Sequence, residues 1–136
     1  MIVNREEVMC RFAVIKKENV MADSILLTKS KIFALHIIRF CNDIKKARRE
    51  SVLTNQLLRS GTSIGANIRE AFYAHSRADF VARLQIALKE CSESEYWLEL
   101  LLESGYSENA EILHQCVEVK KLLVASINTA KKQLPD

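Results

Sequence analysis

From residue 24 onward, apolar side chains recur every third or fourth position, the spacing that stacks them on one face of a helix. Phe33, Ile37, Phe40 and Ile44 follow one another at spacings of 4, 3 and 4. With Ile25 and Leu26 in the first turn and Asp23 or Ser24 as the cap, they predict a helix over about 24–44. Leu53, Leu57, Gly61, Ile64, Ile68 and Phe72, at spacings of 4, 4, 3, 4 and 4, predict a second over about 51–75. Gly61 and Gly65 lie inside it, and each costs about 1 kcal/mol against Ala. The stripe keeps its phase across them, so the helix is read as continuous. Phe80, Leu84, Leu88, Cys91, Leu98 and Leu102 predict a third over about 77–104, with Ser94 or Glu95 at the missing position. Ser76 is its cap, and Gly105 supplies a left-handed stop. Ile112, Cys116, Val119, Leu123 and Ile127 predict a fourth over about 109–132, with Lys131 and Lys132 at its negative end and Pro135 beyond.

Four amphipathic helices joined by short links bury their stripes around one core by running up and down in turn. The expected fold is therefore all-α, an antiparallel up-down-up-down four-helix bundle over 23–136. Leu57, Ile64, Ile68, Leu84, Leu88, Leu98, Cys116, Val119 and Leu123 are its expected core. Residues 1–22 show no clean period, because charges interrupt Phe12, Val14 and Ile15. They are read as an arm of unsettled structure, packing on the bundle or on a neighbouring subunit.

Composition supports long helices: the 136 residues include three glycines and one proline, too few for the turns of a sheet. The four cysteines, Cys10, Cys41, Cys91 and Cys116, form no Cys-x-x-Cys pair. They read as free thiols in a reducing cytoplasm. No apolar run reaches the roughly 18–20 residues of a membrane span. The opening Met1-Ile2-Val3-Asn4-Arg5-Glu6-Glu7 lacks the apolar core of a signal peptide. A cytoplasmic protein with no membrane partner is expected.

The net charge is only +3, but Lys45, Lys46, Arg48 and Arg49 concentrate four cations in five residues. With Arg59 and Arg69 they form the candidate nucleic-acid-binding set. Helix three is acidic, and Glu95, Glu99 and Glu103 recur at every fourth position. Catalytic chemistry finds little support. His36, His75 and His114 lack partners at metal-ligand spacing. Gly61-Thr62-Ser63-Ile64-Gly65 lacks the Gly-Lys-Ser/Thr ending of a phosphate loop. No enzyme activity, metal or cofactor is expected. The small-residue patch around Gly61, Ser63, Gly65 and Asn67 reads either as tight packing within the chain or as a subunit contact. Tyr96 and Trp97 join it as candidate contacts, being large groups beside a core stripe.

The string Gln56-Leu57-Leu58-Arg59-Ser60-Gly61-Thr62-Ser63-Ile64-Gly65-Ala66-Asn67-Ile68-Arg69-Glu70-Ala71 resembles the hallmark of the four-helix-bundle family of 23S rRNA intervening-sequence proteins. That family includes the accessory variability determinants of diversity-generating retroelements. Lys29-Ser30, Phe33-Ala34, Asp79-Phe80, Leu84 to Glu90, Glu93, Glu95-Tyr96-Trp97-Leu98 and Gly105-Tyr106 extend the resemblance over about 24–130. Arg69 departs from it, standing where Ala or Glu is common. The resemblance implies a bacterial source and a homopentameric barrel. For the retroelement branch it implies a basic surface that binds nucleic acid and a reverse transcriptase. It singles out Arg59 and Asn67 and gives neither a catalytic role. The expected function is a non-enzymatic homo-oligomer binding structured RNA or DNA. The alternative is a scaffold that recruits a basic protein to the acidic face of helix three.

Overall fold

The computed structural model describes the backbone of residues 4–134 and, apart from residues 8 and 10–19, their side chains. Four helices and no strand make up the described residues: α1 (Arg5–Arg48), α2 (Val52–Ala71), α3 (Arg77–Glu103) and α4 (Glu111–Lys132).

The largest difference from the sequence reading is the start of α1. Asn4, not Asp23 or Ser24, is its cap, and the Asn4 Oδ1 accepts the Glu6 amide at 3.1 Å. Glu6 and Glu7 then face the positive end of the helix. No glycine or proline interrupts residues 5–48. Once a helix is nucleated, each added residue gains a hydrogen bond for one pair of dihedrals. A helix anchored in a core therefore extends outward without needing an apolar period, which is the signal the arm lacks. At 1.5 Å per residue, the 44 residues of α1 span about 66 Å, against about 30 Å for the 20 of α2. α1 outruns the other three helices.

α1 packs on α2 and α4, and α3 packs on α2 and α4, while neither α1 with α3 nor α2 with α4 forms a packed pair. Paired positions fall along one helix as they rise along the next. Cys41 meets Thr54, Ile37 meets Gly61 and Ser30 meets Gly65. Ser60 meets Ser94, and Glu70 meets Arg83. His36 Nδ1 and Gln115 Oε1 lie 2.7 Å apart, and Lys29 pairs with Glu118.

Leu26, Phe33, Ile37, Phe40 and Ile44 of α1 meet Leu57, Ile64 and Ile68 of α2 in a fully buried core. α4 supplies Ile112, Cys116, Val119, Leu123 and Ile127, the five positions its spacing predicted. On α3 the buried seam is Val81, Leu84, Ala87, Cys91, Ser94, Leu98 and Leu101. Leu88, expected in the core, is half-buried at its edge, as are Phe80 and Leu102. The seam on α3 follows small residues. Ala87 and Ser94 let α2 come close, and Ser94 Oγ lies 2.8 Å from both Ser60 Oγ and the Glu90 carbonyl. Ile25, placed with the first apolar stripe, is exposed. The buried hydroxyls are satisfied: Ser30 donates to the Leu27 carbonyl, Thr54 to the Glu50 carbonyl and Ser60 to the Leu57 carbonyl.

Cys41, Cys91 and Cys116 are buried free thiols. Cys10 lies outside the described side chains. Cys91 and Cys116 place their sulfurs 3.9 Å apart, each also reaching the other's carbonyl. Burial pushes the Cys41 thiol up to about 11. The contact with Cys91, and then burial, push Cys116 further in the same direction. No described helix is long and apolar enough to cross a membrane.

Candidate nucleic-acid interface

Lys45, Lys46 and Arg48 occupy the last turn of α1, where cations offset the negative end of the helix dipole. The expected basic link is thus mostly helix. The turn itself is Arg49-Glu50-Ser51, and Arg49 closes α1 in the left-handed conformation (φ 53°), its amide donating to the Lys45 carbonyl at 3.1 Å. It is the non-glycine residue with positive φ among the described residues. Ser51 makes no capping bond at the start of α2. Glu50 takes that role instead, its carboxylate accepting the amides of Leu53 at 2.6 Å and Thr54 at 2.9 Å. Partial burial opposes its charge, but these hydrogen bonds outweigh it and hold the carboxyl below its usual range.

The six candidate cations are not brought together. Arg48 donates to the Gly105 carbonyl at 3.0 Å, and its guanidinium lies 5.1 Å from the Tyr106 ring centroid. It fastens the end of α1 to the α3–α4 turn. Arg59 sits midway along α2 and pairs with Glu90 and Glu93 of α3, already neutralised within the chain. Arg69 is exposed at the far end of α2, about 30 Å from Arg49 at 1.5 Å per residue. It shares a shallow depression with Tyr73, His75 and Arg83. Tyr73 is 82% exposed there; the spacing analysis passed over it because it falls outside every stripe. Lys45, Lys46, Arg49 and Arg69 form no ion pair among the described residues. Three of those four cluster at the α1–α2 turn.

The candidate subunit contacts also divide. Gly61 and Gly65 face α1 of the same chain, the tight-packing alternative of the two that the sequence left open. A Cβ on Gly61 would lie 2.9 Å from Ile37 Cγ2, whereas one on Gly65 would sit 3.6 Å from Ser30 Oγ. Their smoothness serves the α1–α2 approach. Ser63 Oγ donates to the Arg59 carbonyl, and Asn67 Nδ2 to the Ser63 carbonyl, so both are satisfied inside α2. Trp97 packs half-buried against the core, with its indole Nε1 lacking a partner. Tyr96 stays outside, its ring 5.2 Å from that of Trp97. Among the described residues no group of three or more His, Cys, Asp or Glu is placed to hold a metal ion.

The sequence model of the 23S rRNA-intervening sequence protein family matches residues 22–125. The chain belongs to that family. A solved structure from Bacteroides thetaiotaomicron, described as a protein of unknown function from the S23 ribosomal protein family, is 45% identical. It superposes with a TM-score of 0.77 over 79% of this chain and 98% of its own. None of the curated proteins compared matches the chain. The family match takes in the α1–α2 turn and all of α2 and α3, but it begins at residue 22. The N-terminal turns of α1, Arg5 through Met21, lie outside it.

Proposed function

We propose that this family member is a non-enzymatic, antiparallel up-down-up-down four-helix bundle that assembles with copies of itself and binds structured RNA or DNA through the phosphate backbone. Arg49 carries the reading. A left-handed conformation costs a residue with a Cβ about 1–2 kcal/mol, and glycine would adopt it freely. Keeping arginine there places an unpaired cation beside Lys45 and Lys46, and residues held in such conformations cluster at functional sites. A ring of subunits repeats this cluster on one rim and turns a modest charge per chain into a field that phosphates feel. Five copies is the number the family resemblance implies. Three buried free thiols suit a reducing cytoplasm. The rival scaffold reading has less to draw on, because Glu93 is engaged by Arg59 and Glu95 by Lys120. Glu99 and Glu103 are what that row leaves exposed.

Fluorescence anisotropy with a labelled RNA hairpin and a labelled DNA duplex, across a salt series, tests the proposal. Binding that weakens with salt is expected. Changing Lys45, Lys46 and Arg49 together to Gln should reduce the log–log slope by up to about 3, close to one unit for each phosphate left without its cation. No binding at low salt, or binding indifferent to salt, overturns it.

A further inference from the structure

Between the last turns of α1 and the first turns of α4 lies a half-open cleft of about 320 Å³, within the roughly 300–1,000 Å³ of small-ligand sites. Its floor is apolar, made by the buried Phe40, Ile44 and Ile112. His36 and Gln115 line it as a pair that satisfies itself, 2.7 Å apart. Arg39 and Asp43 are exposed at its mouth. They are four residues apart on α1, yet neither forms an ion pair among the described residues. The same spacing on α3 brings Asp79 and Arg83 within 3.9 Å. The other carboxylate of the cleft, Glu111, lies 3.6 Å from His114 Nδ1. The mouth therefore presents an unpaired carboxylate beside an unpaired guanidinium, above an apolar floor.

We propose that this cleft takes a guanine base, unpaired in the nucleic acid whose phosphates the α1–α2 turn attracts. The inference rests on the nucleic-acid binding proposed above and adds to it a preference for one base. Two carboxylates at the mouth repel a bare phosphate. The ligand that suits the cleft is neutral and flat, with donors and acceptors along its edge. Guanine carries two adjacent donors, N1–H and the N2 amino group, which the two oxygens of Asp43 accept together. Its O6 and N7 are the acceptors to which an arginine donates in parallel, and Arg39 supplies that fork. Adenine and cytosine set an amino group beside a ring nitrogen acceptor, which a carboxylate repels, and uracil has a lone N–H between two carbonyls. Unpaired bases are read in this way, splayed out of the strand and hydrogen-bonded along their edges. Position supplies the source of the base. Ser107 and Asn109 of the α3–α4 turn also line the cleft, and Arg48 fastens that turn to the end of α1. The cleft thus opens at the cationic end of the bundle. Asp43 and Lys46 are neighbours one turn apart on the same face of α1, and Arg49 lies about 9 Å beyond Asp43 along the axis at 1.5 Å per residue. A nucleotide whose base enters the cleft has its phosphates beside Lys46 and Arg49.

The test uses labelled RNA hairpins that share one stem and differ only at the central nucleotide of a uridine loop, which is G, A, C or U. Anisotropy should show the G loop bound about fivefold or more tightly than the others, the low end of what a bidentate base contact discriminates. Asp43→Asn, first shown by circular dichroism to be as helical as the parent, should bind all four loops alike. It should hold the U loop no more weakly than the parent does, because the variant has lost a negative charge. Free GMP and AMP, titrated by calorimetry, form a second arm. GMP should bind far more weakly than the G loop, since it lacks the neighbouring phosphates that the cations attract. Loops that bind the parent alike, and weaken with salt, would overturn the guanine cleft and leave phosphate binding standing. A preference for G that survives Asp43→Asn would overturn the cleft as its source. GMP bound as tightly as the G loop, or bound where no hairpin is, would overturn the nucleic acid as the source of the base. Failure of every hairpin and of GMP would overturn the cleft together with the reading it rests on.

Discussion

Two glycines four residues apart in one helix answer to different neighbours. At Gly65 an added methyl meets Ser30 at ordinary van der Waals distance, so Gly65→Ala gains the helix propensity of alanine, about 1 kcal/mol. At Gly61 the same methyl would run into the β-branched side chain of Ile37, which is buried and stiff. Overpacking of that kind costs about 1–3 kcal/mol, so Gly61→Ala should be destabilising despite its better propensity. Urea unfolding of the two variants checks the opposite signs. The thiols offer a second residue-scale test. Cys41 and Cys116 are held protonated by burial and by their neighbours, with folded pKa values above the ordinary value near 8.5. The contribution of Cys41 is complete below that value and is lost as pH rises through about 9 to 11, and that of Cys116, raised further, begins to fall over the same range and goes on falling above it. Stability measured by denaturant should therefore fall over that window. At neutral pH, Ellman's reagent should label Cys41, Cys91 and Cys116 only after unfolding.

At the scale of elements, α2 and α4 were legible because their apolar stripes are long, regular and buried. α3 was legible as a helix but not in its rotation, since Ala87 and Ser94 set its buried seam and hydrophobicity assigns them little weight. α1 misled in the other direction. Ile25 was placed beside Leu26 in the first turn because the sequence does not say which side of a helix finds a partner. The start at Arg5 was hidden because an overhanging helix needs no apolar period. The spacing that placed the start of α2 near Ser51 named no cap for it, and the cap is the carboxylate of Glu50. Removing it by Glu50→Ala should cost about 1 kcal/mol at neutral pH. The Glu50 carboxyl is held below its ordinary value, so its contribution is present above about pH 4.3 and is lost as pH falls through that range. Parent and variant should accordingly converge in stability in acid, which thermal melts at pH 7 and pH 3 would show.

For the whole molecule, the candidate site was less legible than the fold. The sequence grouped Arg59 and Arg69 with Lys45, Lys46, Arg48 and Arg49 because all are basic and near one another in the chain. Folding sends Arg69 to the opposite end, gives Arg59 to Glu90 and Glu93, and uses Arg48 to fasten a turn. Long-range ion pairs of this kind depend on which helix faces which, and no local spacing encodes that.

The length of α1 reaches beyond one chain. In any ring whose axis follows the helices, every copy points the N-terminal turns of α1 the same way, while Arg49 lies at the other rim. The assembly proposed above would be a disc with unlike sides, the N-terminal turns of α1 on one and a cationic collar on the other. A nucleic acid bound to the collar, as proposed, would leave the α1 turns on the opposite side, so two partners would be held about a helix-length apart without competing for the same surface.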